Sequence, residues 1–481
     1  MARVLKNARI VTGHSEFRGA LAICGDRIGK IWRNSGTEEG CPEWPGDEKA
    51  VAEISQPWDK DVSISDLHGL VLMAGAIDSH VHFREPGMTA KADLESESKA
   101  ALLGGVTSFI DMPNTKPATT DKETLQAKLS LSEGRCWANY GFHLGATNAN
   151  QGHFEDIDPH SYAGVKVFLG SSTGGLLVDD ASALRNIFRT SGKEVLIHSE
   201  DNDVIAKNLA RYRAEYGDEL PFRVHPLIRS AEACSLMTRK ALDLAAEYGT
   251  RLHLLHVSTA IEAQMVKDGR KENPYLTCET SPNYLWFSER DYDRMGAFIK
   301  CNPAVKQPSD RAALRRALKD GTIDTIGTDH APHLISEKMK SYLSSPSGVC
   351  SIQQSLAVMM SVAGEEGLSY SRIAALMSEN PASLFGIRDR GFIAEGAIAD
   401  LVVIDPEMDF TVGDEKDMWR TSSARIDSKC GWSAYGPVPG KMTGERLRGG
   451  VRQVWLGGVK AVEDGRLLLG EPSGKRLIFD R

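Results

Sequence analysis

The feature that most constrains this chain is a series of eight apolar, β-like segments separated, in most cases, by amphipathic helical ones. The β-like segments are 71–82, 106–112, 137–146, 163–170, 194–200, 251–258, 275–281 and 322–330. Apolar residues between them recur with a 3.6-residue period, as in KADLESESKAALLGG and RSAEACSLMTRKALDLAAEYG. DDASALRNIFRTSG carries Asp180 as an N-cap, and SDRAALRRALKDG carries Ser309. Eight such units over roughly 250 to 300 residues predict an α/β fold, a closed (β/α)8 barrel of TIM type. A doubly wound open sheet is the alternative, but no GxGxxG follows the first strand to support it.

The ends of the chain have a different texture. VLKNARIVTG, ALAICGDRIGKIW and SISDLHGLVLMAG alternate apolar and polar residues between turns, and so do GAIADLVVID, GGVRQVWLGGVKAVEDGRLL and RLIFD. We therefore expect a small β-sandwich domain built from residues 1–72 and 391–481, with the barrel at 73–390. Residues 35–60 are acidic and rich in Pro and Gly, and read as a surface loop insertion.

Composition narrows the function classes. Hydrophobic residues make up 41% of the 481, enough for a large core. The formal charge of −8 argues against a nucleic-acid partner. No apolar run reaches ~18 residues and the N-terminus has no apolar signal region, so no membrane partner or secretion is expected. The eight cysteines are scattered without a CxxC pair, which fits a reducing cytoplasm rather than a disulfide framework or thiolate metal site.

The chemistry lies at strand ends. His80 and His82 are two apart, so on a strand both face one way, and Arg84 continues that face. Such a pair is a ready set of metal ligands, although HxH alone is equally compatible with packing. His198, His256 and Asp329 also fall at or near strand ends, which converge at one face of a barrel. That convergence favours a metal site. Lys166 stands inside the apolar run AGVKVFLG, where a buried ammonium is costly. It admits two accounts: an ion pair with a carboxylate such as Asp329, or a carbamate formed with carbon dioxide that bridges two cations. The surrounding His and Asp residues favour the second.

DSHVHFREPG (78–87), DMPNT (111–115), GVKVF (164–168), IHSE (197–200), LLHVS (254–258) and GTDHAPH (327–333) together resemble the amidohydrolase superfamily, and within it the dihydroorotases. The resemblance runs from about residue 65 to 405. It implies two divalent metal ions, zinc being best suited, with His80 and His82 on the first and His198 and His256 on the second. It further implies that Lys166 is an N6-carboxylysine bridging the two, and that Asp329 is both a ligand of the first metal and the catalytic proton carrier. Arg84, Asn114 and His333 match contacts to a substrate carboxylate, and Asn302 matches a contact to a pyrimidine-like ring. The implied activity is reversible hydrolysis of (S)-dihydroorotate to N-carbamoyl-L-aspartate, in de novo pyrimidine biosynthesis. A homo-oligomer, in its simplest form a homodimer, is also expected.

Other readings are blander. His253 is expected to face away from His256 and pack between strand and helix, and His330 to stand behind the ligands. His143 either lines the pocket or packs. Met359 and Met360 are expected in the core. The Gly-rich stretch 170–175 reads as a mobile loop near the metals, and 283–301 as a lid. Two stretches depart from the dihydroorotase pattern: Ser281-Pro282-Asn283-Tyr284 replaces a His pair, and Asn302-Pro303-Ala304-Val305-Lys306 replaces NPPLR. Two alternatives stand beside the main reading. One is an allantoinase or hydantoinase-like enzyme, which would not need the Arg84–Asn114 pair. The other is a non-catalytic scaffold, against which the complete set of candidate ligands argues.

Overall fold

Eight parallel strands follow one another around a barrel in chain order: Ala76–Val81, Val106–Asp111, Asn139–Phe142, Val165–Leu169, Val195–Ser199, Leu252–Leu254, Thr277–Thr280 and Thr325–Ile326. The structure, a computed structural model, describes residues 2–34, 42–54, 62–150, 154–170 and 176–481. The third strand is interrupted at His143 and resumes as Leu144–Gly145, which pairs with the fourth. Strands eight and one close the ring: Val81 bridges His330, and His82 N donates to His330 O at 2.8 Å. Asp78 reinforces the closure by accepting from Thr328 N at 3.1 Å and Thr328 Oγ1 at 2.5 Å.

The helices begin where side chains can cap them. Asp180 accepts from Ala183 N, and Ser230 from Ala233 N at the start of Ala231–Tyr248. Ser309 is not a cap. The helix Pro308–Lys319 starts two residues earlier than that cap implies, because Pro308 occupies its first position and Gln307 is the N-cap. Met359 and Met360 are buried in the helix Ser355–Glu366.

Strands from both ends of the chain join one nine-stranded, mostly antiparallel sheet. Val71–Ala74 pairs with Ala2–Val11 on one side and Leu401–Thr411 on the other, so the run 71–82 is two strands serving two sheets. The expected surface loop at 35–60 contains the helix Asp47–Ile54. Its Ala50 and Ile54 are buried against Trp32, one turn apart, which is the spacing of a docked helix face. Residues 35–41 and 55–61 lie outside the described residues, as do 171–175 of the Gly-rich loop.

RLIFD does not join the terminal sheet. The segment lies along the third barrel strand, with Tyr140 N donating to Lys475 O and Leu477 N to Tyr140 O. Phe479 is buried with Leu477, Phe385 and Ile387. A Cβ on Gly141 would lie 2.6 Å from the Phe479 ring, so only glycine admits the plug there. Removing it by Phe479→Ala is expected to cost about 3–5 kcal/mol of stability, read from the denaturant midpoint. A cost under about 1 kcal/mol would show that the tail only covers the barrel.

Candidate functional site

The ends of the first, second, fourth, fifth, sixth and eighth strands meet around a cavity of about 350 Å³ lined by His80, His82, Arg84, Asn114, Lys166, His198, His256, Asn302, Asp329 and His333, among others. Every residue singled out from the sequence as a ligand or substrate contact is in that lining.

Asp329 is the hub of one half. Its Oδ1 lies 3.0 Å from His82 Nε2 and 3.4 Å from His80 Nε2. Burial pushes its carboxyl up, but the neighbouring His80 and His82 imidazoles outweigh that and hold it well below the usual carboxylate range. The far nitrogens of both rings are anchored: His80 Nδ1 on Glu279 Oε1 at 2.5 Å, His82 Nδ1 on Asn114 Oδ1 at 2.7 Å. A proton held at Nδ1 leaves the Nε2 lone pair facing the cavity.

The other half is less fully anchored, since His256 Nδ1 is buried without a hydrogen-bond partner among the described residues. His198 Nε2 lies 3.0 Å from Glu200 Oε2, which is also paired with Arg229, and His198 Nδ1 faces His256 Nε2 at 3.0 Å. Burial pushes the imidazoles of His82, His198 and His256 down, so they stand as neutral rings with lone pairs.

Lys166 projects between the halves, with its ammonium 4.7 Å above the Phe168 ring. Among the described residues no carboxylate is within ion-pairing distance of it, so the expected alternative of a salt bridge to Asp329 is not formed. Burial pushes its amine down to about 7, so near neutral pH much of it is the free base. Neutral imidazoles, a carboxylate and an unpaired amine facing one cavity form a donor set that fits divalent cations. His80, His82 and Asp329 alone bring three ligand atoms within 4.8 Å of one another.

The rim is cationic. Arg84 donates through Nε to Pro332 O at 3.1 Å and through an Nη to His333 Nε2 at 3.1 Å. Lys91 Nζ stands 3.0 Å from His333 Nδ1 and 3.1 Å from Glu337. Burial, and then Arg84 and Lys91, hold the His333 ring well below its ordinary value and hence neutral. Asn302 Oδ1 is buried without a hydrogen-bond partner among the described residues.

A family profile described as "Amidohydrolase family" matches residues 71–429. The chain belongs to that family. It is 31% identical to a dihydroorotase of Methanosarcina acetivorans over 86% of this chain and 88% of that protein. It is 29% identical to an allantoinase of Deinococcus radiodurans over 98% of both. In structure it resembles the L-hydantoinase of Arthrobacter aurescens, with a TM-score of 0.85 over 99% of both chains at 23% identity. No described helix is long and apolar enough to cross a membrane.

Several residues of this amidohydrolase escape sequence reasoning. Glu279 anchors His80 and lies 3.6 Å from His253 Nε2, so His253 stands beneath the site, where its ring packs on Phe385 of the helix Asn380–Phe385. The alternation fails because the sixth strand ends at Leu254 and His256 takes a left-handed backbone, φ 41°. Gly327 permits this crowding, since a Cβ there would lie 2.4 Å from Glu279. His143 donates to Ser79 O and packs on Phe385, while His330 faces Glu97. The expected lid 283–301 is a packed wall. Tyr284, Phe287, Tyr292 and Phe298 are buried, and Phe287 stacks on Tyr435 at 5.4 Å. Of the departures from the dihydroorotase pattern, Asn283 accepts from Tyr435 and Lys306 donates to Ser258, and neither lines the cavity.

Proposed function

We propose that this amidohydrolase is a dihydroorotase, hydrolysing the ring amide of (S)-dihydroorotate reversibly to N-carbamoyl-L-aspartate. The observation that carries this reading is the Arg84 guanidinium, held over the cavity by Pro332 O and His333 beside the imidazole cluster. It offers a fixed cationic fork for a substrate carboxylate, and guanidinium–carboxylate pairs are among the strongest charge-assisted contacts. Asn114 spends its carbonyl on His82, so its part at that carboxylate rests on its NH2. Asn302 and His333 complete the substrate contacts in this reading.

We further propose two divalent cations, zinc best matching the donors, held by His80, His82 and Asp329 and by His198 and His256, with carboxylated Lys166 between them. Such a pair, when bound, supplies an activated water and polarises the ring carbonyl. Asp329 takes the proton of the attacking water at Oδ and returns it to the departing ring nitrogen. Glu279 and Asn114 keep the protons of His80 and His82 on the far side of the rings, and Glu200 faces Nε2 of His198. A second reading, an allantoinase or hydantoinase-like enzyme, is favoured by the nearly complete alignment with the Deinococcus allantoinase.

The test is the kcat/KM of Arg84→Ala on dihydroorotate and on unsubstituted dihydrouracil, with metal content measured on the same samples. Loss of a charged contact is worth about 2–3 kcal/mol, or roughly 30- to 150-fold, and should fall on dihydroorotate alone. A wild type that prefers the uncharged ring, or equal losses on both with metals retained, would remove the dihydroorotase reading and favour the second.

A further inference from the structure

Two cysteines 80 residues apart in the sequence meet in the core beside the rim, with their Sγ atoms 3.2 Å apart. Cys350 follows the loop after the eighth strand, and Cys430 belongs to the C-terminal segment. Both are free thiols, 2% and 5% exposed. Their surroundings hold them in register: Ala434 N donates to Cys350 O at 2.9 Å, and Ser428 Oγ lies 3.1 Å from Cys430 Sγ. Bonded sulfurs sit about 2.05 Å apart, so closure needs a shift of roughly an ångström.

A metal ion is the competing occupant, because Glu97 and His330 stand next to Cys350. The hydrogen bonds speak against it. His330 Nδ1 accepts from Ser351 N at 3.0 Å and Ile352 N at 3.2 Å, which places the ring proton on Nε2. Nε2 then donates to Glu97 Oε2 at 2.8 Å, while Glu97 Oε1 accepts from Lys429 N at 2.9 Å. The imidazole has no lone pair left for a cation, and the two thiols remain a pair by themselves.

We propose that Cys350 and Cys430 form a modification site, a dithiol that a peroxide oxidises to a disulfide. Cys430 is the attacking sulfur in this scheme because the Ser428 hydroxyl, 3.1 Å from its Sγ, can donate to the thiolate. Its thiolate attacks one peroxide oxygen, the O–O bond breaks, and the departing hydroxide takes up the thiol's proton as water. The resulting sulfenic acid is attacked by the Cys350 sulfur; the S–O bond breaks, a second water leaves and the S–S bond forms. The sulfur pair loses two electrons and the peroxide gains them. The disulfide ties the segment around Trp432, whose Nε1 donates to His333 O at 2.7 Å, to the loop after the eighth strand. This inference does not depend on which cyclic amide the enzyme hydrolyses.

The experiment treats the native full-length protein with stoichiometric hydrogen peroxide, then alkylates it after unfolding and maps the peptides. The expected result is a joined pair of peptides carrying Cys350 and Cys430, two hydrogens lighter, with six alkylatable thiols left of the eight in the chain and full reversal by dithiothreitol. Cys430→Ser should abolish the crosslink, and Cys350→Ser repeats the test from the other side should the first variant not fold. Oxidation at other sites with both thiols still alkylatable would overturn the proposal. So would a bound metal ion, retained by the wild type, that is lost in either variant while the cavity metals stay.

Discussion

Asp329→Asn should fold normally and keep much of its metal, yet lose roughly two to four orders of magnitude in kcat. The carboxylate stands 3.0 Å from His82 Nε2 and 3.4 Å from His80 Nε2, and an amide of the same shape can occupy that place. What the amide cannot do is accept a proton from attacking water and hand it to the leaving nitrogen. The measurement is kcat across pH, with metal analysis and the unfolding midpoint on the same samples. Near-normal turnover at any pH would show that the proton travels by another group. Loss of all metal would show that Asp329 serves chiefly to hold it.

Lys166→Ala removes the one amine in the cavity wall that has no ion-pair partner among the described residues. If its carbamate bridges two cations, activity should fall by roughly 100-fold or more, beyond the 10- to 100-fold usual when only a residue supporting a metal ligand is lost. Metal content should fall with it. Short carboxylic acids such as acetate or propionate supply two oxygens in the vacated space and should restore part of the activity. Unchanged metal content and turnover would remove the carbamate from the reading. Because Ala is smaller than Lys, loss of activity with unchanged metal and no rescue would instead point to a packing role.

The sequence by itself determined the features that depend on local periodicity. Alternation along a strand places His80 and His82 on one face, and Lys166 within an apolar run marks a buried amine. Strand–helix repetition makes the barrel, and barrel geometry brings His198, His256 and Asp329 together. Only the tertiary structure decided the rest, because those contacts arise when distant segments close on one another. Asp78 meets Thr328 only when the ring closes, and Glu279 reaches both His80 and His253 only across the barrel interior. Arg84, His256 and Asp329 all have left-handed backbones, φ 68°, 41° and 50°. The periodicity of the chain does not mark these non-glycine positions as left-handed, and the turns help to set where their side chains aim. RLIFD reads as a strand of any sheet; that it plugs the barrel follows from the space left beside Gly141. The meeting of Cys350 with Cys430 likewise has no local signature, since 80 residues separate them and packing alone sets their distance.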